Sequence, residues 1–102
     1  MARKSSKTTP TVISGVLYSD DGANGIRLTD PEWSMWLEDA TGFYYDHADC
    51  GFTCKKQKHR NGYFWYAYKR VNGRLHKRYL GMRENVTLDR LKLQAQTFSR
   101  LL

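Results

Sequence analysis

The chain has 102 residues, 40% of them hydrophobic, and a formal net charge of +7 at pH 7. That length builds one hydrophobic core rather than two, and the longest apolar run, Tyr63 to Tyr68, is far too short to cross a bilayer as a helix. The two cysteines, Cys50 and Cys54, are too few for the disulfide framework of a small secreted domain, and the basic start has no apolar stretch behind it, so the chain is expected to lack a secretory leader, to stay off membranes and to work in the cytoplasm with reduced thiols.

Residues 1–11 are polar and basic without periodicity, which predicts a disordered tail ahead of a single domain over 12–102. Val12 to Leu17 reads as a short strand, Ser19 to Gly25 as a turn and Ile26 to Thr29 as a returning strand. Asp30 and Pro31 announce a helix. A carboxylate accepts a free N–H of the first turn, and proline suits a first position that needs no N–H. Trp33, Trp36, Leu37 and Ala40 then fall on one face, and Gly42 is placed to stop the helix. Two tryptophans on such a stripe are expected in the core, where large aromatics contribute most.

Phe43 to Tyr45 is a short aromatic segment, and residues 46–51 form a loop. Phe52 to Lys58, Tyr63 to Val71 and Arg74 to Leu80 are the strongest strand candidates. The last two are joined by Asn72-Gly73, whose residues tolerate the positive φ that a tight hairpin turn requires. Thr87 is placed to cap a closing helix over 88–102, with Leu88, Leu91, Ala95, Phe98 and Leu102 on one stripe. The expected fold is therefore α+β: an antiparallel sheet of three or more strands packed with an N-terminal and a C-terminal helix.

The charge is unevenly spread. Residues 1–50 carry four Lys/Arg and eight Asp/Glu, whereas residues 51–102 carry thirteen and two; from Lys55 to Arg83 there are ten basic residues and no acidic one. So long a run of one sign attracts polyanions, of which nucleic acid is the usual one inside a cell. The two-residue turn sets Val71 against Arg74 and Ala67 against Arg78, so Phe64, Tyr66, Tyr68, Arg70, Leu75, Lys77 and Tyr79 share one face. Two arrangements of that face stay open. Either it is exposed, offering stacking and phosphate contacts, or the Trp33/Trp36 helix covers it and the sheet is sandwiched.

Two resemblances meet at these residues. Pro31-Glu-Trp-Ser-Met-Trp-Leu-Glu, Gly51-Phe-Thr-Cys-Lys-Lys, Tyr63-Phe-Trp-Tyr-Ala-Tyr-Lys-Arg, Lys77-Arg-Tyr-Leu-Gly81 and Leu88-Asp-Arg-Leu91 resemble, in order, the N-terminal segment of bacterial LuxR-type transcriptional regulators with a MalT-like ATP-binding core. That resemblance implies a transcription-regulation setting, and in it a protein-interaction or regulatory role is the alternative to nucleic-acid binding. In addition, Trp65-x-Ala67, Val71-Asn-Gly-Arg74 and Leu80-Gly81 ahead of a helix are similar to three-stranded DNA-binding modules, the arm-type integrase domains and the plant ethylene-response type. Those modules lay the sheet in the major groove, which implies contacts from Lys55, Gln57, Tyr66, Tyr68, Arg70, Lys77 and Tyr79. Combined with the basic hairpin, the expected function is non-enzymatic binding of nucleic acid, duplex DNA ahead of RNA, through Lys55, Arg60, Tyr66, Tyr68, Arg70, Arg74, Lys77 and Tyr79.

Metal, cofactor and catalytic sites are not expected. His47, Cys50, Cys54 and His59 are the right inventory for zinc, but Cys54 and His59 lie an odd number of residues apart on one strand and so point to opposite faces. Asp46, His47, Asp49 and Cys50 crowd one loop without the spacing of a base, nucleophile and orienting group. Asp21-Gly-Ala-Asn-Gly25 lacks the lysine and following helix of a phosphate loop.

Overall fold

A computed structural model of the chain describes residues 9–19, 25–48 and 50–102. Residues 1–8 of the expected tail, most of the 19–25 turn, and Asp49 lie outside the described residues. The elements in chain order are β1 (Thr11–Ile13), β2 (Val16–Tyr18), β3 (Ile26–Arg27), α1 (Pro31–Asp39), β4 (Gly42–Asp46), β5 (Phe52–His59), β6 (Gly62–Val71), β7 (Arg74–Gly81), a 3-10 turn over Arg83–Asn85, and α2 (Leu88–Ser99).

The class is α+β, but the sheet corrects the expected three-stranded antiparallel one. It has seven strands in the order β3-β2-β1-β4-β5-β6-β7 and is mixed, because β1 runs parallel to β4. The segment read as one strand over Val12 to Leu17 is broken in its middle. Ser14 and Gly15 take left-handed φ values of 53° and 77°, which makes a tight turn and splits the segment into β1 and β2. Serine is not a usual residue for that conformation, so the turn carries no strong sequence signal. The β1–β4 pairing joins segments about thirty residues apart, with α1 inside the crossover that a parallel pair requires.

At the other edge, β5, β6 and β7 form where the sequence places them. Asn72 and Gly73 have φ of 53° and 79°, and Val71 pairs with Arg74. The register runs unbroken to Tyr66 against Tyr79. It then slips by one, so that Trp65 faces Gly81 rather than the expected Leu80. This bulge depends on Gly81, whose φ is 111° and whose missing side chain leaves room for Asn85.

Asp30 occupies the N-cap position of α1 with extended backbone angles, but its carboxylate makes no capping hydrogen bond, contrary to expectation. Gly42 is also reassigned. The helix closes with the Ala40 N–H donating to the Trp36 carbonyl, and Gly42 opens β4. Thr87 does cap α2, accepting from the Arg90 backbone N–H at 3.2 Å, and α2 ends at Ser99 rather than Leu102.

Both helices pack on one face. Val12, Leu17, Phe43, Tyr45, Phe52, Cys54, Trp65, Ala67 and Leu80 of the sheet form a single core with Trp33 and Leu37 of α1 and Leu91, Ala95 and Phe98 of α2. Trp33 meets Phe43 edge-on at 5.2 Å between ring centres, and Phe52 meets Phe98 at 5.4 Å. The sandwiched arrangement is therefore excluded: α1 does not cover the Tyr66/Tyr68/Tyr79 face. Ala67, fully buried, leaves the helices room to approach β6.

The buried Trp33 indole N–H donates to the Val86 carbonyl at 2.6 Å, tying α1 to the segment that leads into α2. Trp33→Phe removes that donor and leaves a buried carbonyl unpaired beside a smaller ring. It should lower stability by about 2–4 kcal/mol in urea unfolding. Trp36→Phe, at a partly exposed position stacked on Trp33, should cost less than half as much.

Candidate nucleic-acid interface

Strand alternation sends every second residue of β4 to β7 away from the helices. Thr53, Lys55, Gln57 and His59 of β5, Phe64, Tyr66, Tyr68 and Arg70 of β6, and Leu75, Lys77 and Tyr79 of β7 share the open face, because their strand neighbours Phe52, Cys54, Trp65, Ala67 and Leu80 are buried in the core. Tyr79 and Leu75 are more than half exposed.

The rings and cations of this face are interleaved. Lys77 Nζ stands 4.3 Å from the Tyr66 ring centre and 5.8 Å from that of Tyr68, while Lys55 Nζ approaches Tyr68 from the other side at 6.0 Å. Tyr66 meets Tyr79 edge-on at 5.5 Å, and Phe64 lies 6.1 Å from Tyr79. The Tyr66 hydroxyl and His59 Nε2 share a hydrogen bond of 3.0 Å. Each cation–π contact is worth only about 0.5–1 kcal/mol at such exposure, but together they hold flexible lysines over the rings instead of leaving them to sweep solvent. Among the described residues Lys55, Arg70, Arg74 and Lys77 have no carboxylate partner; the ion pair on the helix side joins Arg83 to Glu38 at 2.6 Å.

The eight residues expected to bind do not form one cluster. Lys55, Tyr66, Tyr68, Arg70, Lys77 and Tyr79 share the open face. Arg70 is folded back over the hairpin tip, donating to the Gly73 carbonyl at 3.3 Å. Arg74 pairs with buried Val71 and so belongs to the helix side of the tip. Arg60 sits in the β5–β6 turn, at the other end of the ten-residue β6 and roughly 30 Å from the tip. Lys56 also faces the helices, donating to the Glu38 carbonyl at 2.8 Å.

Sequence reasoning missed the other half of the face. Thr11 pairs with both Tyr18 and Tyr44, and Tyr44 with Thr53, which pairs with Tyr68. One row across the open face therefore reads Tyr18, Thr11, Tyr44, Thr53, Tyr68, Lys77. Beside Tyr44 a groove of about 820 Å³ opens, bordered by Thr11, Thr41, Gly42, Thr53 and Lys55, where Gly42 contributes no side chain. Burial alternates along β4 and turns Tyr44 to the open face, but three aromatics in a row do not mark which one that is, and the pairing of β1 with β4 has no local signal either.

The residues weighed for zinc are separated. Cys54 is fully buried in the core, while His59 is exposed and bonded to Tyr66. Burial pushes the Cys54 thiol well above its ordinary range, and burial together with neighbouring Cys54 raises Tyr45. Both groups are neutral when protonated, so a raised folded pKa gives stability that is complete below the unfolded value and lost as pH rises through the folded one. The urea midpoint should therefore decline above about pH 9, and Cys54 should react with a thiol reagent at pH 8 only as fast as the protein unfolds. Rapid labelling of native Cys54 would contradict this placement.

Among the described residues no helix is long and apolar enough to cross a membrane. A family model described as a domain of unknown function, DUF6788, matches residues 26–90, and the chain belongs to that family. No curated protein and no solved structure matches the chain. The family match carries no statement about LuxR-type regulators or integrase domains.

Proposed function

We propose that this DUF6788 domain is a non-enzymatic, cytoplasmic nucleic-acid-binding module that uses the open face of its sheet. The observation that carries the reading is a sheet face that neither helix covers, where tyrosine rings and lysines with no carboxylate partner among the described residues alternate across β5, β6 and β7. An exposed aromatic face costs solvation and invites aggregation unless a partner covers it. A polyanion bearing flat apolar rings suits both halves of this surface, with phosphates to the lysines and bases to the tyrosines. The sequence resemblance to the segment ahead of the ATPase in LuxR-type regulators supports a setting in gene regulation.

Binding should be strongly salt-dependent. If about five phosphates are neutralised, log K should fall against log salt with a slope of about −3.5 on single strands and about −4.5 on duplex, since each contact releases condensed counterions. Lys77→Ala should shrink that slope by about one and weaken all sequences alike. Tyr68→Ala should lower affinity while costing about 1 kcal/mol or less in stability, because half-buried Tyr68 is not a core residue; a loss of about 3–5 kcal/mol would mark it as core instead. No binding to any nucleic acid at about 50 mM salt, where electrostatic attraction is strong, would overturn the reading and favour an acidic protein surface as the partner.

A further inference from the structure

We infer that the open face is built for a single-stranded polynucleotide laid across the strands, rather than for a duplex. This rests on the proposed nucleic-acid function and deepens it. The row Tyr18, Thr11, Tyr44, Thr53, Tyr68, Lys77 places a tyrosine on every second strand. Neighbouring strands are about 4.8 Å apart, so the three tyrosine positions recur roughly every 10 Å and the row is about 24 Å long, with the Tyr44 ring leaning over Gly51 in the next row. Threonines between them keep the intervening positions low. Tyr18 is 47% exposed, and it belongs to β2, outside the basic run that begins at Lys55.

Three features of the face favour a single strand. A tyrosine ring stacks only on a base whose face is free, and in a duplex those faces are already stacked on their neighbours. Reading a duplex through the major groove calls for forked donors and acceptors aimed at base edges, whereas the centre of this face is Tyr66, Tyr68 and Tyr79 with Phe64. Finally, each strand is turned about 20–25° from the next, so five steps from β2 to β7 accumulate roughly 100° of twist. A duplex is stiff over about 150 base pairs and meets only part of so twisted a row; a single strand bends to follow it. Lys77 and Lys55, on either side of Tyr68, supply phosphate contacts next to the stacked base. The groove beside Tyr44 gives the strand an indentation to enter at the β1–β4 end, and exposed Asp46, on the same face one row away, repels phosphate and bounds the path on that side. Base faces and phosphates are common to DNA and RNA, so the sugar is not read.

The test is fluorescence anisotropy on the full chain at about 50 mM salt, with an unstructured single-stranded DNA of about 16 nucleotides, the same sequence as RNA, and its DNA duplex. Both single strands should bind within a few-fold of each other and at least tenfold tighter than the duplex. Tyr18→Ala and Tyr44→Ala should each weaken the single strands on the order of tenfold without changing the salt slope or duplex affinity. Tyr44→Phe keeps the ring and should stay close to the parent protein, which separates stacking from any effect on folding. Duplex binding as tight as single-strand binding, or Tyr44→Phe as weak as Tyr44→Ala, overturns the inference while nucleic-acid binding stands. Binding to none of the three probes removes both.

Discussion

The hydrogen bond from the Trp33 indole to the Val86 carbonyl joins elements that reach the core from opposite edges of the sheet. α1 follows β3, at one edge, and Val86 lies just after β7, at the other. A buried carbonyl without a partner is costly, so this contact favours the arrangement in which α1 and the lead into α2 meet on the same side. With both helices there, the alternation of β6 does the rest. Trp65 and Ala67 go to the core, while Tyr66 and Tyr68 are left facing solvent. One-sided packing turns a period-two pattern into a core face and an open face.

Strand parity divides the basic run between the two faces of the sheet. Exposed Glu32, Glu38 and Asp39 all belong to α1, which packs on the core face. Lys55, Arg70 and Lys77 are carried by the opposite face, with the lysines held over tyrosine rings. Lys56, Lys58, Lys69, Arg74 and Arg78 share the helix side with those carboxylates, so both signs are mixed there, whereas the open face of β5 to β7 carries cations alone.

Legibility in the sequence followed the range of the interactions. Local signals were sufficient where they acted alone: the Asn72-Gly73 turn set the β6–β7 register, Thr87 capped α2, and the stripe through Leu91, Ala95 and Phe98 named the buried side of α2. They failed where a long-range contact or an unusual residue decided the outcome. Ser14 adopts a turn conformation that its side chain does not advertise, and the parallel β1–β4 pairing depends on segments far apart in the chain. For the site, the tyrosines of β6 and β7 were legible from parity within one hairpin. Which side the helices took was not, and neither was the alignment of Tyr18 and Tyr44 with Tyr68, because both are properties of the assembled sheet. Arg60 and Arg74 show the reverse: near the others in sequence and equally basic, they are set apart on the sheet by strand length and by parity.

The most direct test of the open face as the binding surface is an NMR titration of isotope-labelled protein with an unstructured oligonucleotide, following backbone amides and aromatic side chains together. Shifts should concentrate on Lys55, Tyr66, Tyr68, Lys77 and Tyr79 and extend to Tyr44, with α1 and the exposed side of α2 unmoved. Shifts confined to the helices, or spread evenly over every basic residue including Arg60, Arg90 and Arg100, would contradict it.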